Sequence, residues 1–161
     1  MSDAATNITP TENKPRDKGA APPRWILKLI TRLHVGLSRL SGARLGNTIA
    51  GDEVCFVDMT GARSGRKLTI PLMYVPHDGD VLLVASLGGA PKNPTWYHNI
   101  VKNPGIDITY RGLRKSYTAR LATADEKSAM WPVCDKCYAP FADYRKRTTR
   151  DIPIFVCSPA S

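Results

Sequence analysis

At 161 residues, 42% of them hydrophobic, the chain is long enough to bury one core and too short to argue for two domains. A formal net charge of +9 asks for an acidic partner: nucleic acid, anionic lipid or an acidic cofactor. No stretch is long and uncharged enough to span a bilayer and no secretory apolar segment is found. The expectation is a cytoplasmic protein whose four cysteines stay reduced.

Residues 1–23 hold polar, charged, Pro and Ala residues without an apolar period and read as a disordered arm. Residues 24–44 read as an amphipathic helix. Ile26, Ile30, Leu33, Leu37 and Leu40 recur at helical spacing, with Lys28, Arg32 and Arg39 on the opposite face. This helix either packs on its own barrel or lies peripherally on an anionic membrane through residues 24–40. In the second case Trp25 sits at the headgroup boundary and each cation contributes about 1 kcal/mol. Nucleic acid is not expected, because the aromatics are not interleaved with cations as stacking platforms.

Val54–Met59 and Thr69–Val75 read as strands, and His77-Asp78-Gly79-Asp80 turns the second into Val81–Ser86. Between the first two lies Thr60-Gly61-Ala62-Arg63-Ser64-Gly65-Arg66-Lys67. Its glycines, hydroxyls and three cations suit a phosphate; the alternative, a solvated basic hairpin turn, is common taken singly but less so when a second glycine loop follows the very next hairpin. P-loop and GxGxxG spacings are lacking, which leaves an ATPase or a nicotinamide-binding domain unsupported. The next loop carries Gly88 and Gly89, which allow close backbone approach, and then Asn93 as N-cap with Pro94 opening a helix. That helix end either faces an anion or simply closes a tight strand-to-helix turn.

Asn103-Pro104-Gly105 ends the Trp96 helix, and Ile106–Tyr110 and Arg114–Ala122 form a hairpin around Arg111-Gly112. Thr123-Ala124-Asp125-Glu126 has capping-box spacing, so a helix starts there, and Pro132 interrupts it. A last strand, Ile152–Cys157, closes the sheet. Neighbouring strands outnumber crossover helices, which favours an antiparallel barrel, mainly β with peripheral helices. Cys134-Asp135-Lys136-Cys137 has metal or redox spacing but no second pair, and Cys55 and Cys157 sit in apolar strands. No metal site is expected. His34, His77 and His98 make neither a triad nor a metal site, and His98 faces outward or hydrogen-bonds locally on its helix. No Ser residue has the acid and base partners of acyl transfer.

The Thr60–Lys67 loop, Ala85–Asn99, Tyr138-Ala139-Pro140-Phe141-Ala142-Asp143-Tyr144 and Asp151-Ile152-Pro153-Ile154 occur in an order and spacing that resembles the deazaflavin-dependent nitroreductase family of actinobacteria, over about Leu45 to Pro159. The resemblance implies an antiparallel, FMN-binding-like split β-barrel over 45–161 that uses reduced coenzyme F(420). It implies that Thr60, Gly61, Arg63, Ser64, Gly65, Arg66 and Lys67 hold the phosphate and the start of the acidic tail. Pro71, Ser86, Leu87, Gly88, Gly89, Ala90 and Pro91 then lie along the ring, Lys92 supplies charge and Trp96 walls the pocket. Tyr138 and Tyr144, with Ser86, would orient the acceptor and supply a proton. Ala62 and Leu68 stand where many relatives have cations, and Phe141 replaces a tyrosine of a nitroimidazole-activating relative, so activity on such prodrugs is not implied.

On this reading the protein is an oxidoreductase that passes a hydride to a quinone, activated enone or nitroaromatic, and a homodimer is in keeping with such barrels. Two alternatives stand beside it: a carrier that binds the coenzyme without turnover, and an FMN-dependent split barrel. The extra cations better suit the longer acidic tail of the deazaflavin.

Overall fold

The computed structural model describes residues 48–49 and 52–160; the expected arm (1–23), the amphipathic helix (24–44) and its membrane-facing reading lie outside the described residues. The chain runs β1 (Thr48–Ile49), β2 (Asp52–Thr60), β3 (Lys67–Met73), β4 (Val75–His77), β5 (Asp80–Val84), a 3-10 turn (Leu87–Gly89) and α1 (Thr95–Lys102). It continues through β6 (Gly105–Tyr110), β7 (Leu113–Leu121), α2 (Ala124–Cys137), α3 (Pro140–Lys146) and β8 (Ile154–Pro159).

Both expected hairpins form. Asp78 and Gly79 (φ 49° and 88°) and Arg111 and Gly112 (φ 49° and 79°) are left-handed at their two central positions, which matches the turn to the twist of the strands. They set His77 opposite Asp80 and Tyr110 opposite Leu113. The described strands form one sheet in the order β1-β2-β6-β7-β8-β5-β4, with β3 on β2, and every pairing is antiparallel.

The sheet curls so that alternate residues enclose one core. Val57 of β2, Leu83 of β5, Ile108 of β6, Ala119 of β7 and Phe155 of β8 point inward, and Ile100 of α1 plugs them. The intervening residues Leu82, Val84, Ile154 and Val156 face out and are covered by Met130 and Cys134 of α2 and Phe141 of α3. Strands β5 and β8 are therefore buried on both faces, which is why they read as unbroken apolar runs rather than alternating ones. This second layer also brings α3 to the edge where β5 ends.

Three sequence expectations shift. The strand expected over Thr69–Val75 divides at Tyr74, whose N–H donates to the Glu53 carbonyl at 3.0 Å. The last strand starts at Ile154, because Pro153 has no N–H for the ladder; its carbonyl instead accepts from the Ala85 N–H at 2.9 Å. Pro132 does not interrupt α2. It forfeits one bond to the Ser128 carbonyl on an exposed turn, while Met130 and Cys134 on either side are buried and hold the helix on the sheet. The capping box forms as expected: Thr123 Oγ accepts from the Glu126 N–H at 3.3 Å, and the Thr123 N–H donates to Glu126 Oε2 at 2.8 Å. Helix α3, opened by Pro140, has no counterpart among the expected elements.

Candidate active site

A cleft of about 310 Å³ opens where β3, the loop after β5, α1 and α3 meet. Pro71, Leu72 and Met73 form one side, Trp96 and Pro94 another, and Tyr138, Phe141 and Tyr144 the third, with Ser86, Leu87 and Gly88 between them. Trp96 is braced by Phe155 (ring centroids 5.9 Å apart) and Phe141 meets Tyr138 edge-on at 4.9 Å. Three hydroxyls interrupt this apolar wall. Those of Tyr138 and Tyr144 lie 3.2 Å apart. Burial, reinforced by that contact, pushes the Tyr138 phenol up to about 12, so it keeps its proton at neutral pH. Ser86 is 8% exposed, and its hydroxyl has no hydrogen-bond partner among the described residues. A buried hydroxyl left unpaired is costly, so this one fits a polar atom of a ligand.

The loop behind Ser86 is built on unusual backbone. Leu87, Gly88 and Gly89 take φ of 46°, 65° and 79° in succession. The two glycines differ in use. Gly88 lines the cleft with open space where a Cβ would be, whereas a Cβ on Gly89 would stand 2.6 Å from the Tyr144 carbonyl oxygen, so Gly89 serves close packing against α3.

Asn93 is not the N-cap expected from the sequence. Pro94 takes that position with extended backbone (ψ 153°), no side chain caps α1, and Asn93 Oδ1 accepts from Arg150 Nη1 at 2.7 Å. Arg150 also donates from Nε to the Ala90 carbonyl at 2.8 Å and from Nη2 to the carbonyls of Ala85 and Ser86 at 2.9 and 2.8 Å. Sequence reasoning missed this residue. It lies 57 to 65 positions from its partners, and no local pattern marks it.

Next to the cleft runs a groove of about 630 Å³ lined by Gly61, Ala62, Arg63, Ser64, Leu68, Asn93, Thr95, His98 and Asn99. Its loop closes on itself through Gly61 N–H to the Arg66 carbonyl (2.8 Å) and Gly65 N–H to the Gly61 carbonyl (2.9 Å). Helix α1 pins it from below. Buried Asn99 accepts from the Ala62 N–H at 2.9 Å, Lys102 donates to the Ala62 carbonyl at 2.8 Å, and Asn103 donates to the Thr60 carbonyl at 3.1 Å. Asn99, Lys102 and Asn103 were likewise absent from the expected site.

The expected residues thus divide. Pro71, Ser86, Leu87, Gly88, Trp96, Tyr138 and Tyr144 line the cleft; Gly61, Arg63 and Ser64 line the groove. Thr60, Gly65, Arg66 and Lys67 belong to the same basic loop and its strand ends without lining the groove, while Gly89, Ala90, Pro91 and Lys92 continue the loop after Gly88 without lining either the cleft or the groove. Arg63, Arg66 and Lys92 are exposed and have no carboxylate partner among the described residues. The Cys134–Cys137 pair lies apart on α2, where burial raises the Cys134 thiol to about 12 and Asp135 is held by Arg145 at 2.6 Å. His98 is exposed, as expected, with Tyr97 edge-on at 5.1 Å.

A curled antiparallel sheet that sets an apolar-walled cleft beside a groove lined by Arg63 defines the split-barrel class. The family model described as F(420)H(2)-dependent quinone reductase matches residues 30–159. Over 142 residues the chain is 32% identical to an F(420)H(2)-dependent quinone reductase of Mycobacterium tuberculosis, covering 83% of this chain and 95% of that one; a putative F(420)H(2)-dependent quinone reductase of Mycobacterium bovis matches to the same extent. A solved structure of an F(420)-H(2)-dependent reductase superposes with a TM-score of 0.62 at 36% identity, covering 65% of this chain and 93% of that one. A second, described as a domain-swapped dimer, gives 0.64 at 31% identity, covering 86% and 100%. The chain belongs to the F(420)H(2)-dependent quinone reductase family and is a coenzyme F(420)-dependent reductase. Family membership decides against the non-catalytic carrier and against FMN as the cofactor.

Proposed function

We propose that this chain reduces quinones, with the deazaflavin ring of coenzyme F(420) in the cleft between Trp96 and Tyr144 and its anionic tail along the Gly61–Ser64 groove. The observation that carries this reading is the buried Ser86 hydroxyl, without a partner among the described residues, in a cleft whose only other hydroxyls are the Tyr138–Tyr144 pair and which adjoins a groove edged by cations that have no carboxylate partner among those residues. Flat apolar walls suit a ring, and Arg63 and Arg66 suit a phosphate and carboxylates. Lys67 and Lys92 add positive charge nearby.

When bound, the reduced coenzyme supplies the hydride. The chain's own groups do the rest. Trp96, Leu87 and Phe141 keep water from the reacting atoms, and Ser86 fixes orientation by hydrogen bonding. Tyr138 and Tyr144 present protons where negative charge develops on the acceptor oxygen, so hydride plus proton complete the two-electron reduction. Activated enones and nitroaromatics make the same demand and belong to the proposal as further acceptors. A homodimer, and contact of residues 24–40 with an anionic membrane surface from the cytoplasmic side, complete it; sedimentation and vesicle flotation test these two.

The deciding experiment is titration of the purified protein with coenzyme F(420), followed by its fluorescence, and then oxidation of the reduced coenzyme by menadione. Saturable uptake and menadione-dependent turnover are expected. A well-folded protein that takes up no coenzyme would overturn the assignment.

A further inference from the structure

We propose that Arg150 is a positioning residue that holds the loop of residues 85–93 in the shape that receives the coenzyme, an inference that rests on the proposed function above. The loop needs such a support. Three consecutive left-handed residues, one of them Leu87, form a conformation that persists only where surrounding contacts over-determine it. Arg150 provides those contacts from outside the cleft. Its planar fork takes the carbonyls of Ala85, Ser86 and Ala90 and the side chain of Asn93, so one guanidinium joins the end of β5, both ends of the 3-10 turn and the entry to α1.

Two consequences bear on the ligand. The carbonyls on either side of the 3-10 turn are satisfied by Arg150, while the N–H groups of Leu87 and Gly88 have no acceptor among the described residues and remain for a ligand in the cleft. Asn93 lines the groove, so the same guanidinium ties the ring cleft to the tail groove and fixes their relative placement. Arg150 itself does not line either one. Burial lowers its pKa from the ordinary arginine value; a guanidinium nonetheless stays protonated in proteins, so each bond it donates is charge-assisted.

Lysine at this position keeps the charge but has neither the fork nor the reach to hold four acceptors. Coenzyme Kd, steady-state kinetics with menadione, and hydrogen exchange at the Gly89 and Ala90 amides are measured for wild type, Arg150→Lys and Arg150→Ala. The two amides are bonded to the Ser86 and Leu87 carbonyls at 3.0 and 3.2 Å and report the loop without any ligand. In Arg150→Lys the expected result is faster exchange at both amides and a coenzyme Kd raised about 10- to 100-fold, with kcat and the KM for menadione within about threefold of wild type. Ethylguanidinium added to Arg150→Ala should restore affinity, where sodium chloride at equal ionic strength should not.

Wild-type exchange and wild-type Kd in a folded Arg150→Lys would overturn the inference, and so would faster exchange without loss of affinity. Should Arg150→Ala fail to fold, Arg150→Lys decides alone. If wild type itself takes up no coenzyme, the proposed function falls, whereas the loop-holding role is then judged by exchange, and unchanged exchange refutes it.

Discussion

The Tyr138 and Tyr144 hydroxyls lie 3.2 Å apart at the cleft, where the end of α2 meets α3. Each can donate to the other or to a third oxygen, so an acceptor in the cleft competes for one proton already shared. Tyr138→Phe removes one donor from that pair. Turnover with menadione should drop about 100-fold while coenzyme Kd stays within about twofold. Equal losses in both would recast the tyrosine as a coenzyme ligand.

The same phenol sets a pH dependence. Its pKa is raised from 10.0 to about 12, chiefly by burial and then by Tyr144. The folded state thus binds this proton more tightly than the unfolded one. The associated stability is intact below pH 10 and is lost as pH climbs from 10 toward 12. Denaturant unfolding at stepped alkaline pH should show a decline there that Tyr138→Phe lessens.

The Thr123–Glu126 capping box offers a control far from the chemistry. Arg120, followed by the Thr123 N–H, lowers the Glu126 carboxyl to about 2 from 4.5. The stability it contributes is complete above pH 4.5 and disappears as pH falls toward 2. Wild type and Glu126→Gln should differ in urea midpoint at pH 7 and converge near pH 2. Thr123→Ala should cost about 1 kcal/mol at neutral pH without touching kcat.

Gly88 and Gly89 should respond differently to alanine. At Gly89 a Cβ meets the Tyr144 carbonyl at 2.6 Å in a backbone with φ 79°, so Gly89→Ala should destabilise by about 2–4 kcal/mol. At Gly88 nothing lies within 4 Å of the added atom, and only the left-handed backbone is penalised, by about 1–2 kcal/mol. Thermal unfolding of both variants separates the two costs.

Asn99 supports the basic loop from beneath. Replacing it by Leu leaves the Ala62 N–H without its acceptor and should cost about 1–3 kcal/mol. A loosened Gly61–Ser64 wall should also weaken coenzyme binding. Isothermal titration of Asn99→Leu at low and high salt tests this: the affinity should be lower than wild type at both, and higher salt should reduce it further in each protein.

Local signals in the chain translated directly where the controlling forces are local. Asp78-Gly79 and Arg111-Gly112 make their turns because left-handed backbone at both central positions is accessible to those pairs, and Thr123 with Glu126 caps a helix across three residues. Pro132 misled, since one missing hydrogen bond is outweighed by the burial of Met130 and Cys134 beside it. Asn93 misled as well, because its oxygen is claimed by a guanidinium that no window around residue 93 contains.

The amino-acid sequence alone determined the alternating and continuous apolar runs of an antiparallel barrel, the two glycine-bearing loops and the excess of positive charge, all properties of near neighbours along the chain. Tertiary structure alone decided which of those residues share the cleft, that Gly89 packs against α3 while Gly88 faces open space, and that Arg150 fastens the loop. Each of these depends on contacts between segments up to 65 residues apart, whose geometry exists only once β5, β8 and α3 have packed together.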